Sequence, residues 1–339
     1  MSERLELLSS IAEITADYRK DDLPQPTAGH VDRWVNQFDA AVQVPILRET
    51  LHVLKQTYIS RETVKSFFGG YVSHDKLTGG NPKDFWSKAH ILDIQQNGQS
   101  QSHIRELLGE ALDEQLNLKI DTCGGPGGSF IYVDDVIFSG SRFTTDMTAW
   151  VKNTAPKDSN VHALVMVTHQ LGEWQSKKRI KASAAAEGKA VNLEIWAALR
   201  LENRVAYRNS SDVLWPAEVP DDPSVLAYVA QEERFPFQTR TAGASTSTVD
   251  IFSSDEGRQL LEREFLRAGV RIRGFSQNPS PIVRPLGFSS FGVGFGSTIV
   301  TYRNCPNNAP LALWWGDPNA QRNHPFSKWY PLLQRRTYE

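Results

Sequence analysis

Apolar residues in the N-terminal part of the chain recur every three or four positions, the spacing that places side chains on one face of an α-helix. Successive stripes comprise Leu5, Leu8, Ile11 and Ala12, then Val31, Trp34, Val35 and Phe38, and then Val44, Leu47, Leu51 and Leu54. A fourth helix is expected to begin near Ser60 and to end at Gly69-Gly70. The pattern predicts a helical region over residues 1–78, followed by the turn-forming run from Gly79 to Pro82.

The hydrophobic pattern changes in the middle of the chain, where short apolar runs alternate with helical stripes. Runs typical of strands cover residues 89–94, 118–120, 130–133, 161–167 and 191–196. Helical patterns between them cover residues 104–112, 143–151 and 172–188. This alternation predicts an α/β core over residues 79–220, with a mainly parallel sheet and helices on both faces.

A third pattern begins near Asp221 and predicts a mixed α+β extension over residues 221–339. Ser253 and Glu256 have the spacing of a capping box at the start of an apolar helix, and Gly269 is expected to end that helix. The last stretch is rich in glycine, proline and aromatic residues, including the run from Gly287 to Gly296.

Composition narrows the classes of function. The chain has 37 basic and 39 acidic residues, so its net charge of -2 does not indicate bulk nucleic-acid binding. Cys123 and Cys305 lack zinc-ligand spacing and are expected to be free thiols that are not bonded to each other. The charged N-terminus is unlike a signal peptide, and no apolar run is long enough to cross a membrane. These features predict a cytoplasmic protein without a membrane partner or a metal site of its own.

The segment from Phe130 to Arg142 carries the clearest chemistry. Four apolar residues lead to the adjacent carboxylates of Asp134 and Asp135, which we place at the carboxyl end of a strand. A small turn containing Gly140 follows, and then a helix. Ligands of open α/β sheets bind at this edge, and a helix N-terminus attracts phosphate. The arrangement suits a phosphorylated sugar, and the alternative is a solvated strand-to-helix turn.

The same segment resembles the motif with which type I phosphoribosyltransferases bind phosphoribosyl pyrophosphate (PRPP). The resemblance implies the type I phosphoribosyltransferase fold, and it implies that Asp134 and Asp135 contact the ribose 2′- and 3′-hydroxyls. The residues that it implies for the 5′-phosphate are Ser139, Gly140, Ser141 and Arg142, with Thr144 as a further hydroxyl. Phe138 is bulky for its position and Arg142 replaces a common Ser or Thr, which leaves the loop geometry open.

Two loops match the family by position. The loop from Gln95 to Ser100, led by Asn97 and Gly98, lies where the family binds pyrophosphate, but it has no basic residue. His103 and Arg105 are the candidates to compensate, and a plain surface loop is the alternative. The glycine-rich loop from Gly124 to Gly128 lies where the family often has a mobile lid, and a flexible hairpin is the alternative.

His169 ends the next predicted strand, so it is a candidate for hydrogen bonding to a base or for proton transfer. A structural histidine is the more ordinary interpretation. The compact basic cluster from Lys177 to Lys181 is interpreted as a solvated helix face, with a nucleic-acid or partner phosphate as the alternative.

The whole chain is similar in layout to phosphoribosyltransferase-like effectors of bacterial conflict systems, including retron-linked anti-phage proteins. The segments behind this resemblance run from Arg284 to Phe288 and from Thr301 to Asn308, followed by Leu313-Trp314-Trp315. The alternative for the intervening aromatic residues Phe288, Phe291 and Phe295 is core packing.

Together the resemblances imply transfer of phosphoribosyl from PRPP to a nitrogenous acceptor, with Mg²⁺ neutralising the pyrophosphate. The candidate partners are PRPP or a nucleotide, and also a reverse transcriptase with retron RNA–DNA. Two alternatives are a nucleotide-sensing module without turnover and a structural component of a retron-type complex. Whether the chain forms oligomers stays open.

Overall fold

The computed structural model describes residues 2–96, 100–231, 237–243, 250–290 and 292–335. The α-helices in this part of the chain are α1 (Glu3–Ile14), α2 (Ala28–Val35), α3 (Ala40–Thr57), α4 (Arg61–Val72), α5 (Asp75–Thr78), α6 (Pro82–Lys88), α7 (Ser100–Leu116), α8 (Ser141–Asn153), α9 (Gln170–Ala186), α10 (Pro223–Ala230), α11 (Asp255–Arg273) and α12 (Leu311–Trp314). Short 3₁₀ helices cover Ile120–Thr122, Val205–Ser210 and Pro325–Lys328.

The strands form two parallel sheets. Their bounds are β1 (Tyr58–Ile59), β2 (His90–Ile91), β3 (Phe130–Ile137), β4 (Asp158–His169), β5 (Ala190–Leu201) and β6 (Val300–Thr301). One sheet pairs β1 with β6, and the other has four parallel strands in the order β2-β3-β4-β5. Parallel strands flanked by helices confirm the predicted α/β class.

The chain divides into two compact units. The continuous unit is Arg61–Glu202, and the discontinuous unit combines Met1–Ser60 with Asn203–Glu339. This division differs from the three expected segments, because α4, α5 and α6 join the four-stranded sheet while α1 to α3 join the C-terminal part of the chain. Hydrophobic spacing identified these helices, but it carries no information about which distant segment each helix packs against.

The core of the continuous unit lies between the sheet and the helices α8 and α9. Strand β4 is buried on both faces from Ala163 to its end, as its unbroken apolar run predicts, whereas β5 alternates because it lies at an edge. The buried side chains of this core are Leu92, Tyr132, Ile137, Phe143, Met147, Trp150, Val151, Ala155, Val161, Ala163, Val165, Ile180, Ala184 and Ile195.

Two predicted details of the continuous unit are wrong. Residues 118–120 do not form a strand; a 3₁₀ helix begins at Ile120 instead, and Ile120 packs beside Gly109 of α7. The predicted strand over residues 89–94 is reduced to His90 and Ile91. The Leu92 amide still donates to the Ile131 carbonyl, but the amides of Ile94 and Gln95 donate to the Gln101 side chain instead of to a neighbouring strand.

The discontinuous unit brings the first helices of the chain to its last segments. Trp34 of α2 is fully buried, and its indole N–H donates to the Ala312 carbonyl at 2.8 Å. The Trp34 ring also packs edge-on against Phe265 of α11, with 6.4 Å between ring centroids. This burial explains why the N-terminal helices do not form a separate bundle.

Helix α11 begins and ends at other residues than predicted. Ser254 is its N-cap, since the Ser254 hydroxyl accepts from the Gly257 amide, and the helix continues through Gly269 to Arg273. A Cβ atom at Gly269 would lie 2.4 Å from the Pro285 carbonyl oxygen. The glycine therefore permits a close approach of two backbones instead of ending the helix.

The glycine- and aromatic-rich C-terminal segment is a packed loop. Arg284 is buried, and its guanidinium donates to the carbonyl oxygens of Ser289 and Gly292. Phe288 packs edge-on against Trp314 at 5.8 Å between centroids, in agreement with the core-packing interpretation for this residue. Phe291 lies outside the described residues. Within the described part of the chain, no helix combines the length and apolar character that crossing a bilayer would require.

A buried ion-pair network holds the discontinuous unit. Glu262 accepts from the guanidinium groups of Arg240 and Arg258 at 2.8–3.2 Å, and all three side chains are nearly inaccessible to solvent. Arg240 also pairs with Asp255 at 2.6 Å. Because removal of one partner leaves the others buried without compensation, such a network is sensitive to single substitutions.

We expect Glu262→Gln to lower the free energy of unfolding of the discontinuous unit by about 3–5 kcal/mol, the usual cost of breaking a buried ion pair. Urea denaturation followed by tryptophan fluorescence measures this change. The matched control is Glu3→Gln, which removes the exposed pair with Arg48 and should cost no more than about 1 kcal/mol. Equal effects of the two substitutions would show that the network does not hold this unit.

Candidate functional site

The paired carboxylates lie inside strand β3 and not at its end. β3 extends to Ile137, and Asp134 is in register with Val165 of β4. The sequence placed the end of the strand at Asp134 and Asp135, and the structure corrects this. The two apolar residues that follow the carboxylates continue the parallel pairing, so the strand ends where the small polar turn begins.

Asp134 is buried, with 5% of its surface exposed. Its Oδ2 accepts from the Tyr132 hydroxyl at 3.1 Å, and its Oδ1 accepts from the Asp135 amide at 2.9 Å. Burial and the charge of Asp135 raise the pKa of Asp134 to about 7, although the charge of Arg142 and a hydrogen bond from Ser100 oppose this rise. A carboxyl group with such a pKa changes between its neutral and its charged form near neutral pH.

Asp135 is half-buried, and its Oδ1 accepts from the Val136 amide at 2.8 Å. Since neighbouring strand residues point to opposite faces of a sheet, Asp134 shares a face with Tyr132 while Asp135 points to the other face. The negative charge of Asp135 nevertheless contributes to the raised pKa of Asp134.

The turn after β3 is pressed against the start of α9. Gly140 has φ +72°, and a Cβ atom there would lie 2.1 Å from the Ser176 hydroxyl oxygen. In return, a Cβ atom at Gly172 would lie 2.0 Å from the Phe138 carbonyl oxygen. Glycine is therefore required on both sides of this contact.

Ser139 and Ser141 lie exposed on the turn, and α8 begins at Ser141. The Ser139 hydroxyl oxygen accepts from the Ser141 amide at 3.4 Å. Because the N-terminus of a helix carries a partial positive charge, a turn of this kind attracts anions. The structure therefore places Ser139, Gly140 and Ser141 together at the carboxyl edge of the sheet.

Thr144 and Arg142 extend in different directions from the same helix. The Thr144 hydroxyl donates to the Ser176 hydroxyl oxygen at 3.0 Å, and Thr144 is buried between α8 and α9. Its hydroxyl is thus engaged in helix packing and is not presented on the turn. Arg142 is exposed, and its Nη1 donates to the Ser100 hydroxyl oxygen at 3.1 Å.

The segment after β2 is organised by glutamine side chains. The buried Gln101 amide oxygen accepts from the backbone amides of Ile94 and Gln95 at 2.8 and 2.9 Å. The Gln95 side chain in turn accepts from the Gln101 backbone N–H at 3.0 Å, and its Nε2 donates to the Ser100 hydroxyl oxygen at 2.8 Å. Asn97 and Gly98, the residues expected to lead the pyrophosphate loop, lie outside the described residues.

Sequence reasoning missed two residues of the site, Tyr132 and Asp146, and placed Ser100 only at the end of the expected pyrophosphate loop. Tyr132 could have been found, since it lies two positions before Asp134 on the same strand face. Asp146, one turn into α8, is buried; its Oδ1 accepts from the Gln96 amide at 3.3 Å, and burial raises its pKa. Its Oδ2 has no hydrogen-bond partner among the described residues.

His169 ends β4 as predicted, but it is fully buried and does not face a crevice. Its Nδ1 lies 3.2 Å from the Ile137 carbonyl oxygen, and its ring stacks on Phe138 at 5.2 Å between centroids. Burial lowers the pKa of His169 to about 4, so the imidazole is neutral at physiological pH. These contacts favour the structural interpretation, in which His169 joins the ends of β3 and β4.

The glycine-rich loop from Gly124 to Gly128 precedes β3 and therefore lies at the amino edge of the sheet, away from the turn at Gly140. The Gly125 amide donates to the Ser87 carbonyl, and a Cβ atom at Gly128 would lie 1.7 Å from the Lys88 carbonyl oxygen. The expectation of a lid over the reaction centre is wrong, because this loop is packed at the opposite edge.

The remaining features considered from the sequence are the basic cluster, the two cysteines and groups that could hold a metal ion. Lys177 pairs with Glu173 of the same helix at 2.7 Å, and the Lys178 ammonium lies over the Trp174 ring, as on a solvated helix face. Cys123 and Cys305 are both free thiols, which confirms that prediction. Among the described residues, no group of three or more His, Cys, Asp or Glu side chains is placed to hold a metal ion.

A buried strand with paired carboxylates, followed by a glycine turn and a helix N-terminus, is the arrangement of a phosphoribosyltransferase-like protein. A model of the PRTase-CE family matches residues 31–335, and the chain therefore belongs to the PRTase-CE family. The match includes most of both units, so the family is not defined by the sheet alone. No curated protein and no solved structure was found to match the chain.

The buried position of Asp134 predicts how stability depends on pH. Because folding raises the pKa of Asp134, its contribution to stability is fully present below pH of about 4 and is lost as the pH rises through about 7. Asp134→Asn removes the titration, so the variant should melt at a higher temperature than the wild type at pH 8, with the difference shrinking toward pH 4.

Melting temperatures from calorimetry between pH 4 and pH 8 check this course. The control is Asp158→Asn, an exposed aspartate at the start of β4. A variant Asp134→Asn that melts below the wild type at pH 8 would mean that the carboxylate's hydrogen bonds outweigh the cost of its burial.

Proposed function

We propose that this chain binds PRPP at the carboxyl edge of its four-stranded sheet and transfers the phosphoribosyl group to a nitrogenous acceptor. The observation that carries the proposal is the turn at Gly140, which joins the carboxylate-bearing strand β3 to the N-terminus of α8. Membership of the PRTase-CE family supports the same class of ligand.

In this proposal, Asp135 accepts hydrogen bonds from the ribose hydroxyls, and the turn from Ser139 to Ser141 binds the 5′-phosphate. Asp134 is not assigned a contact with the ligand, because it is buried on the opposite face of β3 and its oxygens already accept from Tyr132 and Asp135. The backbone amides at the start of α8 supply donors and positive potential without a large side chain at Gly140. Thr144 and His169 are not assigned contacts with the ligand, because their polar atoms are engaged inside the protein.

The reaction forms a bond between the acceptor nitrogen and the ribose C1 while the bond from C1 to the pyrophosphate oxygen breaks. Pyrophosphate leaves with the electron pair, and the acceptor nitrogen loses its proton to solvent or to a base. The charge that develops on the leaving group has to be stabilised, so electrostatic positioning is the main task of the site. Mg²⁺, which the described residues would not hold by themselves, would arrive with the pyrophosphate and neutralise part of its charge.

A second candidate function is nucleotide or PRPP sensing without turnover. It is favoured by the segment from Gln95 to Ser100, which contains no Lys or Arg to stabilise a leaving pyrophosphate. A sensor of this kind would regulate a partner. A reverse transcriptase with its RNA–DNA product remains the candidate partner in an anti-phage setting.

Calorimetric titration with PRPP and Mg²⁺ tests ligand binding. Asp135→Asn should weaken PRPP binding by about one to two orders of magnitude, since a charge-assisted hydrogen bond contributes about 1.5–3 kcal/mol. Asp135 is preferred over Asp134 for this test because it is less buried, so its substitution perturbs the fold less. Asp158→Asn, at the amino edge of the same sheet, is the matched control and should bind PRPP like the wild type.

Release of pyrophosphate from PRPP, measured with nucleobases, nucleotides, tRNA and DNA as acceptors, separates the two candidate functions. Turnover with one acceptor supports the transferase. Binding of PRPP without release in any mixture supports the sensor. A wild-type protein that does not bind PRPP at all contradicts both.

A further inference from the structure

Arg142 lies in the first turn of α8, directly after the turn at Gly140. Its side chain leaves the turn and reaches the start of α7, where Nη1 donates to the Ser100 hydroxyl oxygen at 3.1 Å. The positive charge of Arg142 also lowers the pKa of both Asp134 and Asp146. The cation therefore lies toward the segment after β2 and away from the exposed hydroxyls of the turn.

The segment that Arg142 reaches lacks positive charge of its own. From Leu92 to Ser100 the sequence has no Lys or Arg, and it includes one acidic residue, Asp93. The nearest following cation, Arg105, forms an ion pair with Asp93. A polyanion bound beside this segment would therefore need a cation from another part of the fold.

We propose that Arg142 binds the pyrophosphate group of PRPP and not its 5′-phosphate, so that the turn after β3 supplies the cation missing from the segment after β2. The inference rests on the proposed function for its ligand. The 5′-phosphate and the pyrophosphate are attached at opposite ends of the ribose. Separate groups therefore bind them: the amides and hydroxyls from Ser139 to Ser141 bind the first, and Arg142 binds the second.

Arginine suits this role because its planar guanidinium carries five N–H donors. It can keep the bond to Ser100 while it donates to two phosphate oxygens. When the bond from C1 to oxygen breaks, the electron pair stays with the leaving oxygen, and the fixed positive charge of Arg142 stabilises it. The contact with Ser100 fixes the side chain before the ligand binds, which reduces the entropy lost on binding.

The test measures calorimetric binding of three probes to the full chain: PRPP with Mg²⁺, inorganic pyrophosphate with Mg²⁺, and ribose 5-phosphate. Arg142→Thr introduces a residue common at this position of the motif. It should weaken binding of PRPP and of pyrophosphate by about one to two orders of magnitude. Binding of ribose 5-phosphate should stay unchanged. Arg142→Lys should bind pyrophosphate with intermediate affinity, because it keeps the charge but loses the two-pronged geometry.

Lys152→Thr is the matched control, since Lys152 is an exposed cation at the other end of α8; it should bind pyrophosphate like the wild type. If Arg142→Thr weakened the binding of ribose 5-phosphate and of PRPP equally, Arg142 would be a ligand of the 5′-phosphate and the inference would be overturned. Unchanged pyrophosphate binding would overturn it as well. Pyrophosphate binding that depends on Arg142 in a protein that does not bind ribose 5-phosphate would uphold the inference while contradicting the proposed function.

Discussion

The close approach of two glycines is the constraint on which the site depends. Gly140 and Gly172 let the turn after β3 and the first turn of α9 come together at backbone distance, with the Ser176 hydroxyl donating to the Gly140 carbonyl at 3.2 Å. This contact determines where α8 begins, and so it determines the positions of Arg142 and Asp146 on that helix. A side chain at either glycine would separate the turn from α9 and move the helix start away from the carboxylates of β3.

The site also combines charge with burial in a way that does not favour stability. Asp134 and Asp146 are both buried carboxyls, and burial raises the pKa of each. Carboxyls in such positions are often found at functional sites, where the cost of their burial is offset by what they do for the ligand. The guanidinium of Arg142 is the positive charge that limits this cost in the described part of the site.

Local patterns in the sequence were sufficient for the α/β class, for strand β4 and for a turn at Gly140 followed by a helix, because these depend on runs of neighbouring residues. They were insufficient wherever a distant segment decides the outcome. Gly269 looks like a helix stop until Pro285 is seen against it, and His169 looks like a site residue until Ile137 and Phe138 are seen around it. Asp146 could not be assigned at all, because its partner Gln96 lies on another element.

The arrangement of the two units along the chain has a consequence for synthesis on the ribosome. The continuous unit is complete in sequence once residue 202 has been added, and its three crossover connections are all local. Helices α1 to α3 are made before the continuous unit, yet Trp34 can reach its partner Ala312 only after the continuous unit has been translated. The apolar faces of these helices therefore have to be kept from misassociating while the continuous unit is made, and this is the stage at which a chaperone would matter most.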